Sequence, residues 1–212
     1  MKYEARGRRR GVVVMRIGAV VLAAGQSRRM GAANKLLLPI DGVAMVRRTV
    51  SRVLEAGASP VVVVTGHDAE QVRAALVGVP CAFATSPDPT GPTSTSLHAG
   101  LRALPDDVDA TIVMLADMVH VTTAMLRDVV VRMTRGDVPL VVSTYGDVQA
   151  PPLCFARALW RELLAWTGEG CGKAVVRAHL HEAARLAWPE AALADVDTPA
   201  DYAAVTGAAG AG

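Results

Sequence analysis

Between Leu22 and Pro39 the chain reads Leu-Ala-Ala-Gly-Gln-Ser-Arg-Arg-Met-Gly31 and then Asn34-Lys35-Leu-Leu-Leu-Pro39. A hydrophobic run therefore ends in a loop with two glycines and three cations, Arg28, Arg29 and Lys35. Gly25 and Gly31 let backbone N–H groups turn toward an anion while the cations supply charge, which is a phosphate grip long enough for a triphosphate. The loop is not a Walker loop, which needs Gly-Lys-Ser/Thr. Nor is it the dinucleotide fingerprint, because only Ala24, Gly25 and Gly31 stand near the required positions. Lys35 carries extra weight. The chain has only three lysines among 22 basic residues, so a lysine inside this loop is not a generic surface cation, and its compact ammonium suits a point contact to phosphate. Arg28 is expected to face solvent.

A second chemical feature is acidic. Asp117 follows the hydrophobic run Thr111-Ile-Val-Met-Leu-Ala, where a carboxylate emerges from a strand end. Mg²⁺ takes one or two carboxylates together with phosphate oxygens and water, so Asp117 serves as a ligand if a second acid joins it. Asp195-Val-Asp197 near the end of the chain offers two candidates. From that segment alone, a helix cap ahead of Pro199 is the more common use of Asp197, although Thr198 can serve as the cap instead.

The elements that must hold these residues alternate. Ile17 to Ala23 is a buried strand, followed by an amphipathic helix over Val43–Ala56, a strand at Val61–Val64, a helix near Ala69–Leu76 and a strand at Cys81–Phe83. A Pro/Gly/Ser/Thr-rich loop spans Ser86–Ser96 and leads into a helix to Ala103, the strand Thr111–Ala116 and a helix over Thr122–Met133. Leu140–Ser143 reads as a strand, Arg157–Trp166 and Lys173–His179 as helices, and the end as a short strand plus Pro199–Val205. Trp160, Leu163 and Trp166 fall at helical spacing and read as core. Short apolar strands separated by helices specify an α/β fold: one three-layer αβα domain with a Rossmann-like, doubly wound, mostly parallel sheet that binds ligands at the carboxyl ends of its strands.

Composition sets bounds. A chain of 212 residues that is 51% hydrophobic buries one substantial core, and nothing in it demands two domains. The formal charge of +2 is small and its basic excess lies largely in Arg6, Arg8, Arg9 and Arg10, so nucleic-acid binding is not implied. Cys81, Cys154 and Cys171 form neither a disulfide framework nor a Cys-x-x-Cys site, which fits a reducing cytoplasm. The start imitates a secretory signal, but Arg16 interrupts the apolar run and cleavage near Ala24 would destroy the loop. No apolar run reaches the roughly 18 residues that span a bilayer. Residues 1–14 are expected to be a disordered basic extension, 15–206 the domain and 207–212 a flexible tail, with Met15 a possible true start. His179 and His181 have no partner set at zinc-ligand spacing.

Leu-Ala-Ala-Gly-x-Ser-x-Arg-Met-Gly with a downstream Asn-Lys-Leu-Leu resembles the signature loop of MobA-like nucleotidyltransferases, and within them molybdenum cofactor cytidylyltransferases most closely. The resemblance continues through Ser86-Pro-Asp88, Gly91, Ser94-Thr-Ser-Leu97, Leu115-Ala-Asp117-Met118, Pro151-Pro152 and Asp195-Val-Asp-Thr-Pro-Ala-Asp201. It implies the nucleotide-diphospho-sugar transferase type of fold and Mg²⁺-dependent transfer of CMP from CTP to the phosphate of molybdopterin, with release of pyrophosphate. The alternatives are GTP or another phosphorylated acceptor, or a non-catalytic carrier of the cofactor. A molybdenum hydroxylase is the implied recipient, and neither nucleic acid nor membrane is a partner. Lys35, Arg29 and Asp117 are implied to be catalytic, and Asp117 and Asp197 to hold the metal, with Asp195 as the alternative. The implied nucleotide contacts are Leu22, Ala23, Ala24, Gly25, Ser27, Arg29, Met30, Gly31 and Lys35 from the first loop, with Ser86, Asp88, Gly91, Ser94, Thr95 and Ser96 from the second. The hydroxyls of Ser94, Thr95 and Ser96 serve equally well as caps of the following helix. Ala24 favours CTP, since guanylyltransferases of the superfamily tend to carry Leu-Ala-Gly-Gly at this point. Val119, where a proline is common, and Glu169-Gly-Cys171, which replaces a Gly-Asp-x-Gly turn, depart from the pattern on the acceptor side.

Overall fold

The computed structural model describes residues 15–25, 34–168, 170 and 172–208. In chain order they form β1 (Ile17–Ala23), a 3-10 turn (Lys35–Leu37), the hairpin β2 (Pro39–Ile40) and β3 (Val43–Ala44), α1 (Met45–Glu55), β4 (Val61–Thr65), α2 (Ala69–Ala75), β5 (Ala82–Thr85) and α3 (Thr93–Ala103). There follow β6 (Ala110–Leu115), α4 (Thr123–Thr134), β7 (Leu140–Tyr145), β8 (Val148–Ala156), α5 (Trp160–Ala165), α6 (Lys173–His179), β9 (Ala184–Trp188) and α7 (Pro199–Ala208).

Strand side chains alternate between two cores. Ile17, Ala19 and Val21 of β1, Val61 and Val63 of β4, and Ile112 and Met114 of β6 face one layer, where α1, α2 and α4 supply Val50, Val72 and Leu126. Val20, Leu22, Val62, Val64 and Val113 face the other, against Leu97 of α3, Leu163 of α5 and Val176 of α6. Strands apolar on both faces must lie inside a sheet covered on both sides, which dictates three layers. The seven-stranded sheet has the order β5-β4-β1-β6-β8-β7-β9. β1 pairs in parallel with β4 and β6, and β8 runs antiparallel between β6 and β7. After β1 the chain builds outward through β4 and β5, then returns across β1 to β6. The carboxyl ends of β1 and β6 therefore flank the point where winding reverses, the place at which such sheets open a crevice. Gly100 seats α3 against this region, since a Cβ there would run into Val20 and Val64.

Three local readings differ from the structure. The strand β8 is absent from the sequence pattern because Pro151 and Pro152 cannot donate to a ladder. The register jumps here, from Val142 opposite Leu153 to Ser143 opposite Ala150, so both prolines fall in a bulge. Side chains of β7 take up their carbonyls: Ser143 Oγ donates to Pro152 O at 2.7 Å and Tyr145 OH to Pro151 O at 2.8 Å. Trp166 is exposed, because α5 stops at Ala165 and the extended backbone at Trp166 breaks the helical spacing that buries Trp160 and Leu163. The last helix runs on through Ala208, two residues into the expected tail. Among the described residues no helix is long and apolar enough to cross a membrane.

Candidate functional site

A cleft of about 220 Å³ opens at the reversal point, lined by residues of the two loops and of β1 and β6: Leu22, Ala24, Gly25, Lys35, Asp117 and Ser96 among them. Ladder hydrogen bonding between β1 and β6 carries past the strand ends, with Ala116 N donating to Leu22 O at 3.0 Å. One residue later Asp117 projects into the opening. Thr49 of α1 holds this turn from behind, its hydroxyl donating to Ala116 O at 2.9 Å within the core. Arg52, one turn further along α1, donates to Val119 O and Val121 O and so fixes the loop beyond Asp117. Across the cleft the backbones of β1 and β4 close tightly; a Cβ on Gly66 would lie 2.5 Å from Ala24 O.

Lys35 enters through its 3-10 turn. Asn34 starts that turn, its side-chain oxygen accepting from Leu36 N at 3.0 Å and its amide donating to Asp68 Oδ2 at 2.9 Å, while Leu36 is buried in the core. The turn aims the Lys35 ammonium between two carboxylates, at 2.7 Å from Asp117 Oδ2 and 2.6 Å from Asp197 Oδ1. Burial works to lower the Lys35 pKa, but the charge of Asp117 and the hydrogen bonds to both carboxylates outweigh it, so the net shift is upward from the ordinary 10.5. The ammonium is charged at every physiological pH.

Asp197 is free to take this part because Thr198 and Asp201 cap α7 between themselves. Thr198 Oγ1 accepts from Asp201 N at 3.2 Å, and Asp201 Oδ2 accepts from Thr198 N at 2.8 Å, a reciprocal capping box. Val196, fully buried, pins the segment to the core. Asp195 lies on its other side, exposed and near enough to Tyr145 to help burial raise that phenol's pKa.

The second loop is organised by Asp88. Its Oδ1 accepts from Thr90 N at 3.0 Å, Thr90 Oγ1 at 2.8 Å and Gly91 N at 2.9 Å, and these bonds, that from the Thr90 hydroxyl foremost, hold its pKa below the usual carboxylate value. The carboxylate thus shapes the turn that brings Pro89 and Gly91 to the cleft. Helix α3 begins after Pro92 with no side-chain cap, so the hydroxyls read as possible caps are used otherwise. Ser96 Oγ donates to the buried Ser86 Oγ at 3.0 Å and lines the cleft, whereas Ser94 Oγ accepts from Gly168 N at 3.1 Å. Ala23, Ser86, Asp88, Ser94 and Thr95 do not line it. Leu36, Pro89, Thr93 and Leu115 do, and were missed. Leu36 and Leu115 read as core from their type; Thr93 and Pro89 are betrayed only by the neighbours they stand between. Ser27, Arg28, Arg29, Met30 and Gly31 lie outside the described residues.

The donor set suits a divalent cation. Asp117 Oδ1 is buried and accepts no hydrogen bond among the described residues, although it belongs to a carboxylate at the mouth of a polar cleft, and Asp197 brings a second one within reach of the same ammonium. Hard oxygen donors on two carboxylates, with room for phosphate, fit a metal such as Mg²⁺. Three acidic, His or Cys groups that could hold a metal are not gathered anywhere among the described residues.

A doubly wound sheet thus sets a lysine and two aspartates at its reversal point, where such sheets bind their ligands. The domain model of the MobA-like NTP transferase family matches residues 19–184, and this chain belongs to that family. It is 33% identical over 136 residues to the bifunctional protein GlmU of Clavibacter sepedonicus and 43% identical over 93 residues to that of Anaeromyxobacter sp. (strain K). These matches span 62% and 42% of this chain but only 28% and 19% of the relatives' lengths. Among solved structures, Rv0371c from Mycobacterium tuberculosis H37Rv superposes with a TM-score of 0.79 at 26% identity, over 92% of this chain and all of that one (100%). A nucleotidyl transferase from Methanothermobacter thermautotroptrophicus (Mth528) gives 0.76 at 26% identity, over 91% of this chain and 96% of its own. Rv0371c is also known as a complex with manganese, which superposes at 0.75 over 91% of this chain and 99% of that one, again at 26% identity.

Proposed function

We propose that this chain transfers CMP from CTP to the phosphate of molybdopterin, releasing pyrophosphate, and that the product serves a molybdenum hydroxylase in the cytoplasm. The observation that carries this reading is the Lys35 ammonium held between Asp117 and Asp197 at the mouth of a cleft floored by Ala24 and Gly25. An oxygen of the acceptor phosphate attacks the α-phosphorus in line, the bond from that phosphorus to the β-phosphate bridging oxygen breaks, and the electron pair leaves with pyrophosphate. A phosphate monoester is already a nucleophile, so no side chain need act as base; alignment and charge neutralisation suffice. Lys35 donates to the triphosphate oxygens, and Arg29 is its proposed companion on the pyrophosphate. Asp117 and Asp197 would hold Mg²⁺, whose part is to neutralise phosphate charge at the reacting centre. The small side chain of Ala24 and the main chain of Ala24 and Gly25 read the base, with Ser96 and Gly91 closing the other side and Ser86 holding Ser96 from behind.

The resemblance of the Leu-Ala-Ala-Gly loop to cytidylyltransferases supports CTP, and the manganese complex of Rv0371c supports the use of a divalent ion. The test is pyrophosphate release with CTP, GTP, ATP or UTP and molybdopterin. CTP should be preferred; preference for GTP would move the assignment to the guanylyl reaction, and binding of a pterin nucleotide with no release from any of the four would make the protein a carrier.

A further inference from the structure

Asp68 stands just ahead of α2, where an aspartate ordinarily caps its own helix by accepting from backbone N–H groups two or three residues on. Its backbone carbonyl does begin the helix, accepting from Val72 N at 3.0 Å, but its side chain makes no cap bond. The carboxylate is used elsewhere: Oδ2 accepts from the Asn34 amide at 2.9 Å. These residues are 34 positions apart, so the bond ties the loop after β4 to the turn that carries Lys35.

The two ends differ in rigidity. On the Asp68 side, Thr65 pairs with Ala23 of β1, Val72 of α2 is buried, and a Cβ on Gly66 would lie 2.5 Å from Ala24 O and 2.9 Å from Pro89 Cβ. On the other side Lys35 sits in a 3-10 turn of three residues, a short element of poorer hydrogen-bond geometry that gains from an outside tether. Asn34 spends its side-chain oxygen on Leu36 N at 3.0 Å and its nitrogen on Asp68. A carboxylate only accepts, so Asp68 selects the one orientation of the amide that leaves its oxygen toward Leu36 N. The opposite orientation would set an NH₂ against an N–H and remove the first side-chain bond of the turn.

We infer that Asp68 is a positioning residue: through Asn34 it fixes the turn that aims the Lys35 ammonium between Asp117 and Asp197. Asp68 does not line the cleft, so it acts on a nucleotide only by way of Lys35. The inference rests on the transferase reading, in which Lys35 meets the triphosphate.

Asp68→Ala and Asp68→Asn separate this role from a structural one. In Asp68→Ala the affinity for CTP, measured by calorimetry, should fall about fivefold, what the loss of one ordering hydrogen bond is worth. The melting temperature should stay at the parental value, since no cap bond is lost. Asp68→Asn, whose amide oxygen still accepts from Asn34, should recover most of the affinity. In a Lys35→Ala background the same Asp68→Ala change should alter CTP affinity by less than about twofold, because a residue acting through Lys35 has nothing left to position. A second readout needs no nucleotide. The chain has three lysines, so protein carrying ¹³C at lysine Cε gives three signals, and the one missing from Lys35→Ala belongs to Lys35. Asp68→Ala should shift and sharpen that signal toward a mobile lysine, and Asp68→Asn should leave it in place. A Lys35 signal identical in the parent and Asp68→Ala, or an undiminished loss of CTP affinity in the Lys35→Ala background, would overturn the positioning role. If the Lys35 signal responds but no triphosphate binds the parent, the positioning holds and the transferase reading fails; if triphosphate binds and the signal does not respond, the reverse is true.

Discussion

Lys35 has two duties, and they pull on the same ammonium. It neutralises Asp117 and Asp197 at 2.7 and 2.6 Å, and it is the cation proposed to meet the triphosphate. Lys35→Ala should therefore weaken nucleotide binding and turnover together, by about 2–4 kcal/mol in transition-state terms, the usual cost of removing one fixed group from such an electrostatic site. Lys35→Arg should rescue poorly, since a planar fork cannot replace a point charge between two acids. Steady-state kinetics and calorimetry check both; values within twofold of the parent would remove Lys35 from the site. Its raised pKa means that the stabilising charge is fully present below about 10.5 and is lost only as pH rises through the still higher folded value. No decline in activity between about pH 7 and 10 should therefore trace to Lys35. The two aspartates offer a second check. Asp117→Asn and Asp197→Asn should each remove most transfer without unfolding the protein, and the double variant should be little worse than the poorer single one, because residues serving one ion act as a unit. Multiplying losses would show that they work separately.

Element boundaries decide which acid does what. Thr198 and Asp201 cap α7, so Thr198→Ala should cost about 1 kcal/mol of stability while leaving nucleotide affinity nearly intact. Asp197→Asn should do the reverse. Thermal denaturation of the two variants side by side separates cap from ligand, and a lowered melting temperature in Asp197→Asn with parental transfer would assign Asp197 to the helix after all. The meeting of β1 and β4 is as demanding. Gly66→Ala places a methyl group 2.5 Å from Ala24 O, and backbone cannot yield as a flexible side chain does. An overpacking cost of about 1–3 kcal/mol should appear in chemical denaturation, with a loss of nucleotide affinity as Ala24 and Gly25 are pushed into the cleft. A parental midpoint would mean that the strand ends move apart freely.

Across the described residues, charge is handled by pairing at the surface and by half-buried arginines that reach under neighbouring segments. Arg47 and Arg52 reach back to carbonyls of neighbouring loops, and Arg157 joins two carbonyls to Asp106. Where the acceptor is a carbonyl, such a clamp does not depend on the charge of a carboxylate. His179 is different. Its hydrogen bond to Glu162, helped by the charges of Glu162 and Glu182 and opposed by burial, raises its pKa above 6.5. The stabilisation is complete below that value and disappears as pH rises through the folded pKa. Global stability should thus lose about 0.2–1 kcal/mol on going from mildly acid to mildly alkaline buffer, since Glu162 is half exposed, and His179→Gln should flatten that part of the profile. Denaturant midpoints at several pH values measure it; an identical slope in the variant would exclude His179.

The alternating order of strands and helices and the placing of the first loop at a strand end were legible in the residues themselves. Val61 to Val64 has no polar face to offer, so it can only be an interior strand, and a chain of such strands with amphipathic helices between them has few ways to wind. Lys35 and Asp117 stood out because a scarce residue type and a carboxylate after an apolar run are local facts. What remained out of reach was long-range. Asp197, which the resemblance and not the residues themselves prefers over Asp195, meets Lys35 across 162 positions, and that meeting depends on Val196 being drawn into the core and on Thr198 and Asp201 capping the helix without it. Strand β8 was hidden because proline is penalised by its own backbone, whereas the bulge that accommodates Pro151 and Pro152 is supplied by Ser143 and Tyr145 on another strand. Residue type sets which groups can do chemistry; only packing at a distance brings two of them to within 2.7 Å of a third.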